Sequence, residues 1–290
     1  MVEDTRRTID ELIARYQLEP ALRDVYVEGP SDKALLDYVL GLSGGAVLAV
    51  YEISTIDVPA DVVSAHHLEA NNRGRLIALA IGLADALPEG SCCVACVVDA
   101  DFDRLLAVRH ESNVLFMTDY ACAEMYAFNE DALSTFFRVV VRRLPPEIGQ
   151  AIDDLAEVLQ EIFLIRLVNH AQRLALRHTS WERCCKVVSG RLRFDPRDYL
   201  TRHLNANATA LRVADFELAL APYRAALTPD FRNQVNGHDF IQLLCFYVRR
   251  VLRSRVGCDP VYVERVLHLC INREHTQQEP LFAALSARLH

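Results

Sequence analysis

Glu28 directly follows the short apolar run Val25 to Val27 and precedes Gly29, Pro30, Ser31 and Asp32. Asp99, Asp101 and Asp103 follow the longer apolar run "CVACVV". Glu124 lies just past the strand-like "VLFMT", with Asp119 at the same junction. An ionised carboxylate at the end of a buried strand needs an arginine, backbone N–H groups or a metal ion as partner. If these strands are parallel, their carboxyl ends share one edge, the edge at which open α/β sheets bind ligands. Acids distant in sequence would then converge. Two carboxylates about 4 Å apart repel by roughly 4 kcal/mol at an effective dielectric near 20, so protons or cations must neutralise the cluster. Donor sets made only of oxygen favour Mg²⁺ or Mn²⁺ over zinc. Such an ion polarises a phosphodiester and lowers the pKa of an attacking water. Taken singly, each acid also suits a turn or a helix cap. The combination carries the reading.

The elements that must position these acids alternate. Thr8 to Tyr16 is amphipathic and predicts a helix. Val25 to Val27 predicts a strand, and Ser31 to Leu40 a helix ended by the glycines of "GLSGG". "AVLAVYEIS" predicts a strand and "NNRGRLIALAIGLADALPEG" a helix. "CCVACVVDADFD" predicts a central buried strand, "NVLFMTDY" another strand, and "ACAEMYAF" the start of a helix. This β-α-β-α-β-β-α order predicts an α/β fold with a mostly parallel sheet flanked by helices. Beyond Asn129 helical periodicity takes over, with the longest pattern running from Pro145 to His178. The expected organisation is an α/β domain over residues 1–130 and a mainly α-helical region over residues 131–290.

The 290 residues are 51% hydrophobic and 24% charged, which excludes a disordered chain. No stretch approaches the roughly 20 apolar residues of a membrane span, and the charged N-terminus is unlike a signal peptide, so a cytoplasmic protein without membrane contact is expected. Nine cysteines, an odd number set largely in apolar runs, read as buried thiols of a reducing compartment.

The net charge of −8 hides a local reversal: Arg166 to Arg193 holds seven Lys or Arg and one acid, Glu182. On a continuous helix, Arg166, His170, Arg173 and Arg177 would form one stripe. Arg183, Lys186, Arg191 and Arg193 extend it, and Trp181 and Phe194 stand among them. Arginines beside aromatics suit phosphate contact and base stacking; a solvated face paired with nearby acids is the competing reading. Lys33, one turn after Glu28, is placed for a phosphate or is simply solvated. His238 is a proton shuttle, a phosphate contact or a surface residue at a helix start. A second basic group, Arg249, Arg250, Arg253 and Arg255, ends a later helix, where arginines also favour the dipole.

Glu28-Gly29 after the first strand and Asp99-Ala100-Asp101 after the third resemble the signature of the Toprim fold. Within that superfamily, "VEGPSDK", "VVDADFD" and "TDYACAEMYAF" are most similar to bacterial Toprim proteins that include the nuclease effector of PARIS-type anti-phage systems. These are related to the overcoming-lysogenization-defect nucleases. The resemblance covers roughly residues 20–130. It implies Glu28 as metal ligand or general acid/base, Asp99 and Asp101 as catalytic metal ligands, and Asp103 and Glu124 as supporting ligands. It further implies a Mg²⁺- or Mn²⁺-dependent nuclease, an RNA and possibly tRNA substrate in preference to DNA, and a toxic defence effector held by an ABC-type ATPase partner, with a homodimer as a further possibility. Arg166, Arg173, Arg177, Lys186, His238 and Lys33 are the expected nucleic-acid contacts. The rival expectation is a non-catalytic regulatory subunit that keeps the Toprim shell.

Overall fold

The computed structural model describes residues 6–41, 48–256 and 258–289. Residues 42–45 of the "GLSGG" stop therefore lie outside the described residues. The chain groups into two compact units that interleave in sequence. The first comprises residues 1–100, 109–119 and 272–290, and the second residues 101–108 and 120–271. The expected single break at residue 130 has no counterpart in this grouping, and the last helix belongs with the first unit.

The first unit is built on a four-stranded sheet. Its strands are β1 (Arg23–Val27), β2 (Leu48–Glu52), β3 (Ala95–Val98) and β4 (Leu115–Met117), in the order β2-β1-β3-β4. Every neighbouring pair is parallel, with Val25 opposite both Val50 and Ala95. The α/β class with a mostly parallel sheet is thus as the sequence pattern implies. Helix α1 (Ile9–Leu18) starts at a reciprocal cap: the Glu11 N–H donates to Thr8 Oγ1 and the Thr8 N–H to Glu11 Oε2. Helix α2 (Pro30–Leu40) places proline in its first turn, where no N–H is needed. Helix α3 (Asn72–Ala86) buries Leu76, Leu79 and Leu83 in one core with Tyr26, Cys96 and Val98 of the sheet and Leu12 and Tyr16 of α1.

The second unit is mainly helical. Its axis is α4 (Ile148–Ala171), which buries Leu155, Leu159, Ile162 and Phe163. Around it lie α5 (Pro196–Ala206), α6 (Val213–Ala225), α7 (Gly237–Arg250) and α8 (Pro260–Cys270). Two expectations are corrected here. The long helix stops at Ala171 rather than continuing to His178. Beyond it the chain turns: the Leu174 N–H donates to the Asn169 oxygen, Arg173 and Ala175 adopt left-handed φ of 52° and 54°, and the Asn169 side chain holds both N–H and C=O of Leu176. Strands also recur in this unit, as an antiparallel hairpin of β5 (Cys185–Val188) and β6 (Arg191–Phe194) joined by Ser189-Gly190. A final helix, α9 (Pro280–Leu289), belongs to the first unit and packs on β3 and β4; its Leu281 N–H donates to both carboxylate oxygens of Asp119.

Candidate functional site

Within the first unit, Glu28 and Asp99 stand at the carboxyl ends of the adjacent strands β1 and β3. Residues 71 apart in sequence meet there: the Asp99 N–H donates to Glu28 Oε1 at 3.2 Å. Both acids are half-buried. The turn beyond Asp99 is held by the Ala100 N–H, which donates to Thr118 Oγ1 at 2.9 Å. Gly29 has ordinary extended backbone, and a Cβ there would meet only Asp32 Oδ2, at 3.9 Å. The fold itself does not require glycine at this strand end.

The first turn of α3 braces both acid-bearing strand ends, which the sequence reading missed. Asn72 Nδ2 donates to the Glu28 main-chain oxygen at 3.0 Å, and Arg73 Nε and Nη2 each donate to the Asp99 main-chain oxygen at 3.3 Å. The chain reaches this arrangement through a tight approach, because a Cβ on Gly74 would collide with the Glu69 carbonyl oxygen. The Asn71 side chain caps the helix by accepting from the Gly74 N–H. "NNRG" at a helix start was the available signal. Lys33 is engaged elsewhere: its Nζ lies 2.8 Å from both Asp37 Oδ2 and the Val50 oxygen, tying α2 to β2.

Asp101, Asp103 and Glu124 belong to the second unit, whereas Asp119 lies in the first. Asp101 adopts left-handed backbone with φ 43°, a region asparagine and aspartate tolerate better than most residues, and its N–H donates to the Ala121 oxygen. Asp103 is buried at the start of the short helix Asp103–Leu106. Glu124 is buried within a 3₁₀ turn, Ala123–Ala127, rather than at the start of a long helix. Its carboxylate packs against Gly237, where a Cβ would overlap it. Burial pushes the Glu124 pKa up and Glu264 adds to this; its own backbone, Cys122 and His238 act in the opposite sense.

The basic segment divides into two classes. Arg166 pairs with buried Asp239, Nε to Oδ2 at 2.7 Å and Nη2 to Oδ1 at 2.9 Å, and His178 approaches the same carboxylate at 3.5 Å. The cap of α7 is Asn236, whose side chain accepts from the Asp239 N–H. Arg191 likewise holds buried Asp154, at 2.6 and 3.1 Å. Trp181 is 2% exposed and packs edge-on against Phe246, so it is a core residue. By contrast, Arg173, Arg177, Arg183 and Lys186 are exposed, and no ion pair engages them among the described residues. His238 is exposed in the first turn of α7.

Among the described residues, no group of three or more His, Cys, Asp or Glu side chains is arranged to hold a metal ion. The Glu28 and Asp99 pair nonetheless has the chemistry of a Mg²⁺ site, since Mg²⁺ commonly takes one or two carboxylates and keeps several waters. All nine cysteines are free. Burial raises the thiol pKa of Cys96, so its half of "CVAC" is an inert core thiol. No family model matches the chain, and no curated protein matches it. Among the described residues, no helix is long and apolar enough to cross a membrane.

Proposed function

We propose that the chain is a divalent-metal-dependent phosphodiesterase acting on nucleic acid, with Glu28 and Asp99 at the centre of its site. The observation that supports this most directly is the 3.2 Å bond from the Asp99 N–H to the Glu28 carboxylate, which joins two acids at the ends of adjacent parallel strands. Bound Mg²⁺ or Mn²⁺ would supply Lewis-acid polarisation of the phosphate and a more acidic water. In the chain itself, Glu28 and Asp99 would hold the ion. Glu28, tied at one oxygen to the Asp99 amide, would take a proton from the attacking water at its carboxylate. Asn72 and Arg73 keep the two strand ends in register through their main-chain oxygens. Gly29 leaves the approach to Glu28 open. Asp101, Asp103 and Glu124 complete the proposal as supporting acids on the resemblance alone. The same resemblance favours RNA, tRNA in particular, over DNA. It also assigns a cytoplasmic effector of anti-phage defence, restrained by an ABC-type ATPase or by self-association.

The test is hydrolysis of RNA, DNA and bis(p-nitrophenyl) phosphate by the purified chain with Mg²⁺ or Mn²⁺, with Glu28→Ala beside it. Metal-dependent cleavage that disappears in the variant is expected. A folded chain that neither binds Mn²⁺ nor cleaves any of the three would sink the phosphodiesterase and leave the regulatory-subunit reading.

A further inference from the structure

Of the cations in the second unit, those of the β5–β6 hairpin are arranged at an energetic disadvantage. Lys186 on β5 stands directly opposite Arg193 on β6, and like charges facing each other across two strands repel. Among the described residues, Lys186 has no ion pair. Arg193 has one distant carboxylate, Glu157 at 3.9 Å with both side chains largely exposed, which contributes little. Asp198 is the acid near Lys186, and it is already bound at both oxygens by Arg202, at 2.9 and 3.0 Å. Arg183, two residues before β5, is exposed and among the described residues has no ion pair either. At the tip, Val187 and Val188 are 42% and 54% exposed. The hairpin is a defined shape: Ser189 and Gly190, with φ of 51° and 79°, form the kind of turn that matches strand twist.

We infer that this hairpin is the docking element for the phosphate backbone of a nucleic acid, with Lys186 and Arg193 as the cross-strand phosphate contacts and Arg183 flanking them. The inference rests on the phosphodiesterase reading for its choice of occupant. The charge supports that choice. A stretch running from Arg183 to Arg193 contains four cations and no acid in a chain of net −8, and only Arg191 is spent on a buried carboxylate. Anionic phosphates remove the Lys186–Arg193 repulsion that the free chain carries.

Fluorescence anisotropy of labelled single- and double-stranded RNA and DNA, on the full chain in EDTA so that no cleavage occurs, tests this. Lys186→Glu with Arg193→Glu is expected to weaken binding by about tenfold or more, and to lower the slope of log affinity against log salt by about 1 for each lost phosphate contact. Lys186→Gln with Arg193→Gln should lie between, with a thermal midpoint at or above that of wild type, since it relieves the cross-strand repulsion. Arg197→Glu, a charge reversal at an arginine paired to Glu217 outside the hairpin, should leave binding within about twofold. The nucleic acid whose binding falls most identifies the duplex or strand that docks. Equal affinity and slope in the reversed variant would overturn the inference, as would a wild-type chain that binds no nucleic acid. So would a wild-type dimer that the same reversal makes monomeric, which would assign the hairpin to a second copy. Hydrolysis of bis(p-nitrophenyl) phosphate separates the two proposals. Its absence from wild type would count against the phosphodiesterase while leaving the anisotropy result to stand.

Discussion

Two kinds of acid occur in this molecule, and their partners differ. In the helical unit, Asp154 and Asp239 are each 2% exposed, and each is met by an arginine guanidinium within 3 Å. In the sheet unit, Glu28 and Asp99 are half-buried at strand ends, and the contact between them runs through a backbone N–H. A guanidinium neutralises a carboxylate fully and fills the space around it, which suits a structural acid. An amide N–H orients a carboxylate and brings no formal charge of its own to that contact. Residue type does not separate the two kinds of acid. Burial and the chemistry of the partner do.

The comparison breaks most visibly if the two kinds of acid respond alike to substitution. Glu28→Ala should lower metal-dependent cleavage by about 10²- to 10⁴-fold, the range for loss of a general acid or base, while leaving the urea midpoint close to wild type. Arg166→Ala should do the reverse in kind. It leaves Asp239 buried without its strongest partner, at a cost of about 3–5 kcal/mol in urea unfolding, while kcat on bis(p-nitrophenyl) phosphate is retained by the fraction that remains folded. A large loss of stability in the Glu28 variant, or none in the Arg166 variant, would erase the distinction.

The division was only partly legible in the sequence. The strand-end acids are legible because a parallel sheet has a regular geometry: strands recognised by apolar runs must end on one edge, which brings Glu28 and Asp99 together. The Arg166–Asp239 pair could not, because it spans 73 residues and depends on how α4 and α7 pack. The end of α4 was hidden because Arg173 and Ala175 take left-handed backbone with neither glycine nor asparagine at those positions to announce it. The hairpin was overlooked for a different reason. "KVVSGRLRF" carries a recognisable turn between β-branched and apolar residues, but its cations also fit the extension of a helical stripe that starts at Arg166. Asn72 and Arg73 act through main-chain oxygens, and the identity of the residues they brace leaves no trace in a motif.

Glu124 sharpens the comparison as a third case, a buried acid whose described surroundings include no guanidinium. Its pKa is raised, chiefly by burial, so the folded state binds a proton that the unfolded state has released. In the window above the unfolded carboxylate value of about 4.3, stability therefore falls as pH rises toward the folded pKa. Asp239 has the opposite sign. Burial would raise its pKa, but the His178 hydrogen bond and the Arg166 charge outweigh this and hold it below the usual value, so its contribution is present above about pH 3.9 and lost as pH falls through the folded pKa. Glu124→Gln should accordingly raise the urea midpoint at neutral pH and flatten the alkaline side of the stability profile. A lower midpoint, or a profile parallel to wild type, would show that the Glu124 charge is satisfied in the fold.

The smallest effect concerns Lys33, which lies one turn beyond Glu28 and so near the proposed chemistry in sequence, while its bonds run to the Val50 oxygen and to Asp37. A lysine committed to a neighbouring strand behaves like the structural arginines of the helical unit, only weaker because it is half-exposed. Lys33→Met retains the aliphatic stem and removes the ammonium. It should cost about 0.5–1.5 kcal/mol in urea unfolding, the net worth of an ordinary hydrogen bond, and leave KM for bis(p-nitrophenyl) phosphate unchanged. If KM instead rises severalfold with stability intact, Lys33 contacts the phosphate. The sheet unit would then contain a cation of the same kind as its acids, oriented by the fold but still available to substrate.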